Sequence, residues 1–277
     1  AVGTGGATAG RRRGGRRSMK SYKIETPAGA SIRVHEGGSG TPLLYLHGAG
    51  GLMPDDVFFG ALTEAFHVYA PLLPGYEDSE GEGRLREMLD FTLHSFDVME
   101  TLGLARPLVV GHSMGGMIAA EMAAVAPDAI DRLALIAPAG LWSEDRPIPD
   151  LFAMMPFELP DMLFHDQALG ERLMTAGLDL DDPEFLKNFL VINARRLGTA
   201  SKILFPIPER GLADRLYRIK AKTVVIWGTS DKLIDPAYGA DFRNAIQGAD
   251  LVEIPEAGHL VTHEKPADVI AAIGRLG

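Results

Sequence analysis

The stretch Gly111-His112-Ser113-Met114-Gly115 places a serine between glycines, where an apolar run gives way to a helical one. A serine on such a sharp strand-to-helix turn sits on strained backbone, and neighbours without side chains relieve the crowding. The start of the following helix aims amide groups at the serine and favours negative charge developing there. Serine is a poor nucleophile until a base takes its proton. Of the eight histidines, His259 stands in Glu256-Ala257-Gly258-His259, directly after the last apolar run. Such a base needs a carboxylate that holds its tautomer and stabilises the imidazolium. Asp231 follows the run KTVVIWG in Gly228-Thr229-Ser230-Asp231. Asp235 competes for that role, but it precedes Pro236 and reads as a helix cap. Ser113, Asp231 and His259 together predict nucleophilic acyl transfer. The bland alternative is a buried strand–helix junction with an unreactive serine.

An oxyanion needs two backbone N–H donors. The sequence offers Met114, next after the serine, and Ala49 within His47-Gly48-Ala49-Gly50-Gly51. Losing one such donor costs about 2.7–4 kcal/mol of transition-state stabilisation. His47 and His112 adjoin glycine turns and read as bonded to backbone there, while His263 reads as solvated. His35, His67, His94 and His165 belong to no constellation and read as surface or satisfied core residues. No metal-ligand spacing occurs, and the N-terminal GTGG follows no strand, so neither metal nor cofactor is expected.

These residues need elements to position them. SYKIETPAG and ASIRVHEGG, separated by Pro27–Gly29, predict an opening antiparallel hairpin. Six later runs are continuously apolar and end in glycine, proline or a candidate site residue: TPLLYLHGAGG, HVYAPLLPG, PLVVGHS, RLALIAPAG, KTVVIWG and LVEIPEAGH. Solid apolar runs suit strands buried on both faces. Helices are expected around Phe58–Ala65, over 84–103 at the 3.6-residue period, after Ser113, and from Pro266 onward. Strand–helix alternation of this kind predicts an α/β fold: a mostly parallel sheet with helices on both faces and ligands at the carboxyl ends of its strands. About 80 residues between RLALIAPAG and KTVVIWG lack a strand-like run and are broken by Pro147, Pro149, Pro156, Pro160 and Pro183. The expected organisation is a core over 19–141 and 214–277 with a helical cap over 142–213.

Of the 277 residues, 46% are hydrophobic, as befits a folded globular chain, and no run of 18 apolar residues could span a bilayer. Cysteine is absent, which excludes disulfides, thiolate nucleophiles and cysteine-based metal sites. The net charge is −10, yet six basic groups (Arg11, Arg12, Arg13, Arg16, Arg17 and Lys20) crowd the first twenty residues. The remainder carries 21 basic against 37 acidic groups, a net of −16 that repels phosphate backbones, so a nucleic-acid partner is not expected. Residues 1–18 lack the apolar stretch of a secretory signal. They read as vector sequence or a mis-called extension before a natural start at Met19, with a basic tail for an acidic partner as the alternative. A cytoplasmic location is expected, without a membrane partner.

From residue 19 onward the chain resembles the α/β-hydrolase superfamily. HGAGG, PLLPGYEDS, GHSMGGMIAAEMA, WGTSDKLIDP and EAGH stand where that superfamily's landmarks stand, and Ser, Asp and His arrive in its usual order. The resemblance implies Ser113 as nucleophile, Asp231 as acid, His259 as base, and Ala49 with Met114 around the oxyanion. GHSMGG and LKNFL…RIKAKTVVIWG are also similar to the C–C bond hydrolases of aromatic ring-cleavage pathways. Two features depart from that group. Leu260 follows His259 where those enzymes carry tryptophan, and no arginine falls clearly where they hold the substrate carboxylate; Arg172 is near, while Arg195 and Arg196 come too late. A serine nucleophile argues against haloalkane dehalogenases and epoxide hydrolases, whose nucleophile is aspartate.

The insert carries Leu151, Phe152, Met154, Met155, Phe157, Met162, Leu163 and Phe164. Thioethers and aromatics suit an apolar pocket, although packing onto the body would call for the same residues. The expected substrate is a carboxylic ester with small or medium apolar groups. C–C bond hydrolysis of diketone acids, perhydrolase or cofactor-free haloperoxidase chemistry, and a non-catalytic ligand receptor are the rivals. Substrate-contacting residues and oligomeric state are left open at this level.

Overall fold

The computed structural model describes residues 19–53, 55–179 and 181–277, so the reading of residues 1–18 lies outside the described residues. Strands β1 (Lys20–Glu25) and β2 (Ser31–Gly38) form the expected antiparallel hairpin. They are followed by β3 (Pro42–Leu46), α1 (Val57–Ala65), β4 (His67–Pro71), α2 (Met88–Thr101), β5 (Leu108–His112), α3 (Met114–Val125) and β6 (Arg132–Ile136). The insert then contributes α4 (Leu159–Leu163), α5 (Gln167–Thr175) and α6 (Pro183–Leu204). The chain closes with β7 (Lys222–Gly228), α7 (Ala237–Ala245), β8 (Asp250–Ile254), α8 (Val261–Glu264) and α9 (Pro266–Gly274).

The eight strands make one sheet in the order β1-β2-β4-β3-β5-β6-β7-β8. The pairs β1–β2 and β2–β4 are antiparallel, and every pair from β4 across to β8 is parallel. Parallel neighbours need a crossover, and the helices supply it. Alternate residues of the central strands feed two cores. Val109, Leu133, Leu135, Val225 and Trp227 face the layer with α2, α3 and α7; Leu108, Val110, Ala134, Val224 and Ile226 face the layer with α1 and α9. This burial on both faces is why the strands read as unbroken apolar runs.

Local chemistry sets the helix ends. Asp56 caps α1 by accepting from the amides of Phe58 and Phe59. Glu87 and Asp90 form a reciprocal capping box at α2, which therefore begins at Met88, after a separate 3₁₀ turn over Glu82–Arg84. In α6, Pro183 occupies the first turn, where its missing N–H costs nothing, and Asp182 accepts from Glu184. Pro160 likewise stands in the first turn of α4, so two of the prolines that interrupt the insert's pattern start helices. Among the described residues, the insert between β6 and β7 contains no strand.

Two ends of the insert are tied to the body. At the α6 end, the Arg195 guanidinium donates to Glu82 Oε1 and to the carbonyls of Glu77 and Ser79, and Lys202 Nζ donates to Glu82 O. At the α4 end, Lys232 Nζ lies 2.6 Å from Asp161 Oδ1. Phe164 beside it is buried.

Candidate active site

Ser113 closes β5 and opens α3 with φ 54° and ψ −115°, backbone angles that few side-chain-bearing residues adopt. Such strain costs about 1–3 kcal/mol and persists only where the surroundings impose it. Here they do: a Cβ on Gly115 would stand 2.1 Å from Leu46 O. Close packing of the turn against β3 therefore demands glycine. The Ser113 amide donates to Ile136 O at 2.9 Å, which fixes the turn against β6.

The three residues singled out from the sequence meet. His259 Nε2 lies 2.9 Å from Ser113 Oγ, and His259 Nδ1 lies 2.8 Å from Asp231 Oδ2. Asp231 itself is buried and accepts from the amides of Leu233 and Ile234 through Oδ1, both at 2.9 Å, and from Trp227 Nε1 through Oδ2 at 3.1 Å. With three N–H donors besides the imidazole, it is a carboxylate held in one orientation. Those bonds assign the proton of a neutral His259 to Nδ1 and leave Nε2 free to accept from the serine hydroxyl. Asp235 is exposed and accepts from Ala237 N at the start of α7. The competitor is a cap.

Met114 is the first residue of α3, where no helical carbonyl is available to its amide. Ala49 lies in the loop after β3; Tyr76 Oη donates to its carbonyl at 2.9 Å. His47 fixes the same loop. Its Nδ1 donates to Gly48 O at 2.8 Å and its Nε2 accepts from Leu73 N at 3.1 Å. Burial pushes the pKa of His47 down to about 4, so it works here as a neutral strut. His112 Nε2 donates to His259 O at 2.9 Å; burial, reinforced by repulsion from His259, lowers its pKa to about 3. His47 bonds the glycine turn beside it, as read from the sequence, whereas His112 bonds the backbone of the distant His259 loop rather than its own turn.

His263 departs from expectation. Its side chain is only 8% exposed and pairs with Asp56, with Nε2 3.2 Å from Oδ2, so the cap of α1 is tied to the segment after His259. The net effect on Asp56 is a lowered pKa: burial raises it, but the bond to His263 and the amides of Phe59 and Met53 outweigh burial. Nothing in the local sequence announces this pair, because its members are far apart along the chain.

Arg196 is the second departure. Although late in the sequence, it reaches the loop after β3, with Nη1 3.2 Å from Gly50 O. Its Nε is buried without a hydrogen-bond partner, and among the described residues no carboxylate pairs with it. Burial lowers its pKa below the ordinary arginine value, against a smaller opposing effect of Tyr76.

Ser113 opens on a narrow cleft of about 460 Å³, part of it open to solvent. Ala139 and Ile234 line it from the body, and Ile148, Leu151, Phe152 and Leu204 from the insert. Asp150 is the one charged side chain of that lining. Of the insert residues singled out in the sequence, Leu151 and Phe152 face the cleft, whereas Phe157 is 74% exposed and Phe164 is in the core. Among the described residues, no group of three or more His, Asp or Glu could hold a metal ion, and no helix is long and apolar enough to cross a membrane.

Known proteins share this architecture. The chain is 28% identical over 263 residues to a 2-hydroxy-6-oxo-6-phenylhexa-2,4-dienoate hydrolase of Comamonas testosteroni, covering 84% of this chain and 86% of that one. It is 26% identical over 190 residues to an sn-1-specific diacylglycerol lipase of Mus musculus, covering 64% and 60%. A crystal structure of a serine hydrolase involved in carbazole degradation superposes with a TM-score of 0.74 at 19% identity, covering 94% and 98%. Residues 43–273 match the alpha/beta hydrolase family, and with this sheet and this strand–serine–helix turn the chain belongs to it.

Proposed function

We propose that the chain is a serine hydrolase that cleaves carboxylic esters with small to medium apolar groups through an acyl-enzyme on Ser113. The observation that carries this reading is the unbroken relay from Ser113 Oγ through His259 to a fully hydrogen-bonded Asp231, opening on an apolar cleft. His259 Nε2 takes the hydroxyl proton as Ser113 Oγ attacks the ester carbonyl, and Asp231 stabilises the imidazolium that forms. The amides of Met114 and Ala49 hold the oxyanion. His259 then returns the proton to the departing alcohol, and water cleaves the acyl-enzyme by the same path. The helical insert over 142–213 acts as a cap whose apolar residues shape the cleft. The cleft's lone charge is a carboxylate, Asp150, which favours neutral substrates over anionic ones.

Initial rates on p-nitrophenyl acetate, butyrate and octanoate, beside a ring-cleavage diketone acid, test the reading. Ester cleavage with a chain-length optimum and its loss in Ser113→Ala are expected; full activity in that variant would remove the proposal.

A second reading, hydrolysis of a C–C bond in a vinylogous diketone acid, draws on Arg196. A half-buried guanidinium beside Gly50, with no carboxylate partner among the described residues, could receive a substrate carboxylate. Fast turnover of the diketone acid with feeble ester cleavage would favour it.

A further inference from the structure

The backbone of His259 is held from several directions. On the body side, Ala257 O accepts from Ser230 N at 2.8 Å, which joins the base loop to the loop of Asp231. His259 O accepts from His112 Nε2. Of the two amides that flank His259, one bonds the insert directly and the other reaches it through a side chain of α8. Leu260 N donates to Leu163 O at 2.9 Å, and Gly258 N donates to Glu264 Oε2 at 2.6 Å. The other oxygen of the same carboxylate, Oε1, accepts from Asp166 N at 2.8 Å. Asp166 is the N-cap of α5, so Glu264 joins the insert to the residue immediately before His259.

The contact is too close for ordinary side chains. A Cβ at Gly258 would stand 2.7 Å from Leu163 O and 2.9 Å from His165 N. His165 Nδ1 in turn lies 2.9 Å from Ser230 Oγ, one residue before Asp231. Residues 163–166 therefore run along both the base loop and the acid loop. Glu256, three residues before His259, has φ 52°, so this loop is bent into a shape that needs outside support.

We propose that Glu264 is a positioning residue for His259: its two oxygens lock the Gly258 amide to the Asp166 amide and so set the imidazole at hydrogen-bonding distance from Ser113 and Asp231. Bonds from an ionised carboxylate to backbone amides are short and about twice as strong as neutral ones, which suits a lock between two loops. The insert then forms part of the scaffold of the base, in addition to covering the cleft. This inference rests on the serine-hydrolase reading.

The test uses the full chain and a fluorophosphonate probe, which reacts with an activated serine whatever the natural substrate. Glu264→Gln keeps the shape but offers one accepting oxygen, its amide group facing the second N–H. Displacements of about 1 Å cost up to roughly 10²-fold in rate. Glu264→Gln is expected to lower the labelling rate and kcat ten- to a hundredfold, with KM changed less than twofold and the melting temperature little altered. The downfield proton resonance of His259 Nδ1–H should broaden or vanish in step. Wild-type labelling, kcat and proton spectrum in a folded Glu264→Gln variant overturn the proposal while leaving the serine-hydrolase reading intact. Labelling of Ser113→Ala at the wild-type rate overturns that reading instead. Should Glu264→Gln fail to fold, Asp166→Pro removes the insert's N–H donor together with the capping carboxylate, and Asp166→Ala, which loses the cap alone, is its control. A kcat loss in the proline variant alone supports the proposal; equal kcat in the two overturns it.

Discussion

Single residues here carry distinct burdens that neighbours of the same type do not share. Asp231 and Asp235 are four positions apart, yet one is buried under three N–H donors and an imidazole while the other caps a helix in solvent. Asp231→Asn would present an amide to His259 Nδ1 and favour the wrong tautomer, and kcat for p-nitrophenyl butyrate is expected to fall by about 10⁴. Asp235→Asn retains a capping oxygen and should keep kcat within about twofold, since asparagine caps as well as aspartate. Equal losses in the two would reverse the assignment. Thr199 is a residue of the opposite kind. It lies 1% exposed in α6, and its hydroxyl has no hydrogen-bond partner among the described residues. An unsatisfied buried hydroxyl costs about 1–3 kcal/mol. Thr199→Val removes the hydroxyl at nearly constant volume and is expected to raise stability by about 1 kcal/mol in urea unfolding. A loss of stability would mean that the hydroxyl is satisfied after all.

At the scale of elements, the sequence made the body legible and left most of the contacts between segments hidden. The strands were readable because burial on both faces removes polar residues from them, as in LVV of β5 and VVIW of β7. The three central residues were readable because each ends or follows such a strand. The insert was readable mainly by exclusion, as a long stretch without a strand, and its helix starts were obscured by prolines that interrupt the apolar pattern. What could not be read were pairings between distant segments: His263 with Asp56, Arg196 with Gly50, and Glu264 with Asp166. Each residue looks ordinary in its own neighbourhood. Arg196 comes late in the chain, but a 22-residue helix carries it back to the loop after β3. Distance along the sequence is a poor guide once a helix that long folds over the sheet.

The whole molecule holds three histidines in a neutral state. Burial lowers His47 and His94 to about 4 and His112 to about 3, with repulsion from His259 adding to the last. In the unfolded chain each would titrate near 6.5. Below that value the unfolded state binds protons that the folded state refuses, so the stability these groups allow is complete above about pH 6.5 and declines as pH falls toward 4. The loss is about 1.4 kcal/mol per histidine for each pH unit across that window. Urea unfolding at pH 7, 5.5 and 4.5 should therefore give steadily falling stability, with a shallower decline in His94→Leu. A curve that is flat from 6.5 to 4.5 would contradict the buried neutral state.

The bond from Leu260 N to Leu163 O bears on how this architecture can be rebuilt. Inserts of this kind invite exchange between relatives as interchangeable modules, joined at the ends of β6 and β7. Here a cut at those joints would carry away Leu163 and Asp166, and with them the acceptor for one amide beside His259 and the donor that braces Glu264. A donor module chosen only for its pocket would arrive with the wrong backbone against the histidine loop. The exchangeable portion is the stretch beyond it, from α5 into the first half of α6, where Leu190 and Val191 are more than half exposed and Arg195 has not yet gripped the body. Chimeras joined there keep the support of the His259 and Asp231 loops and vary only what hangs outside them.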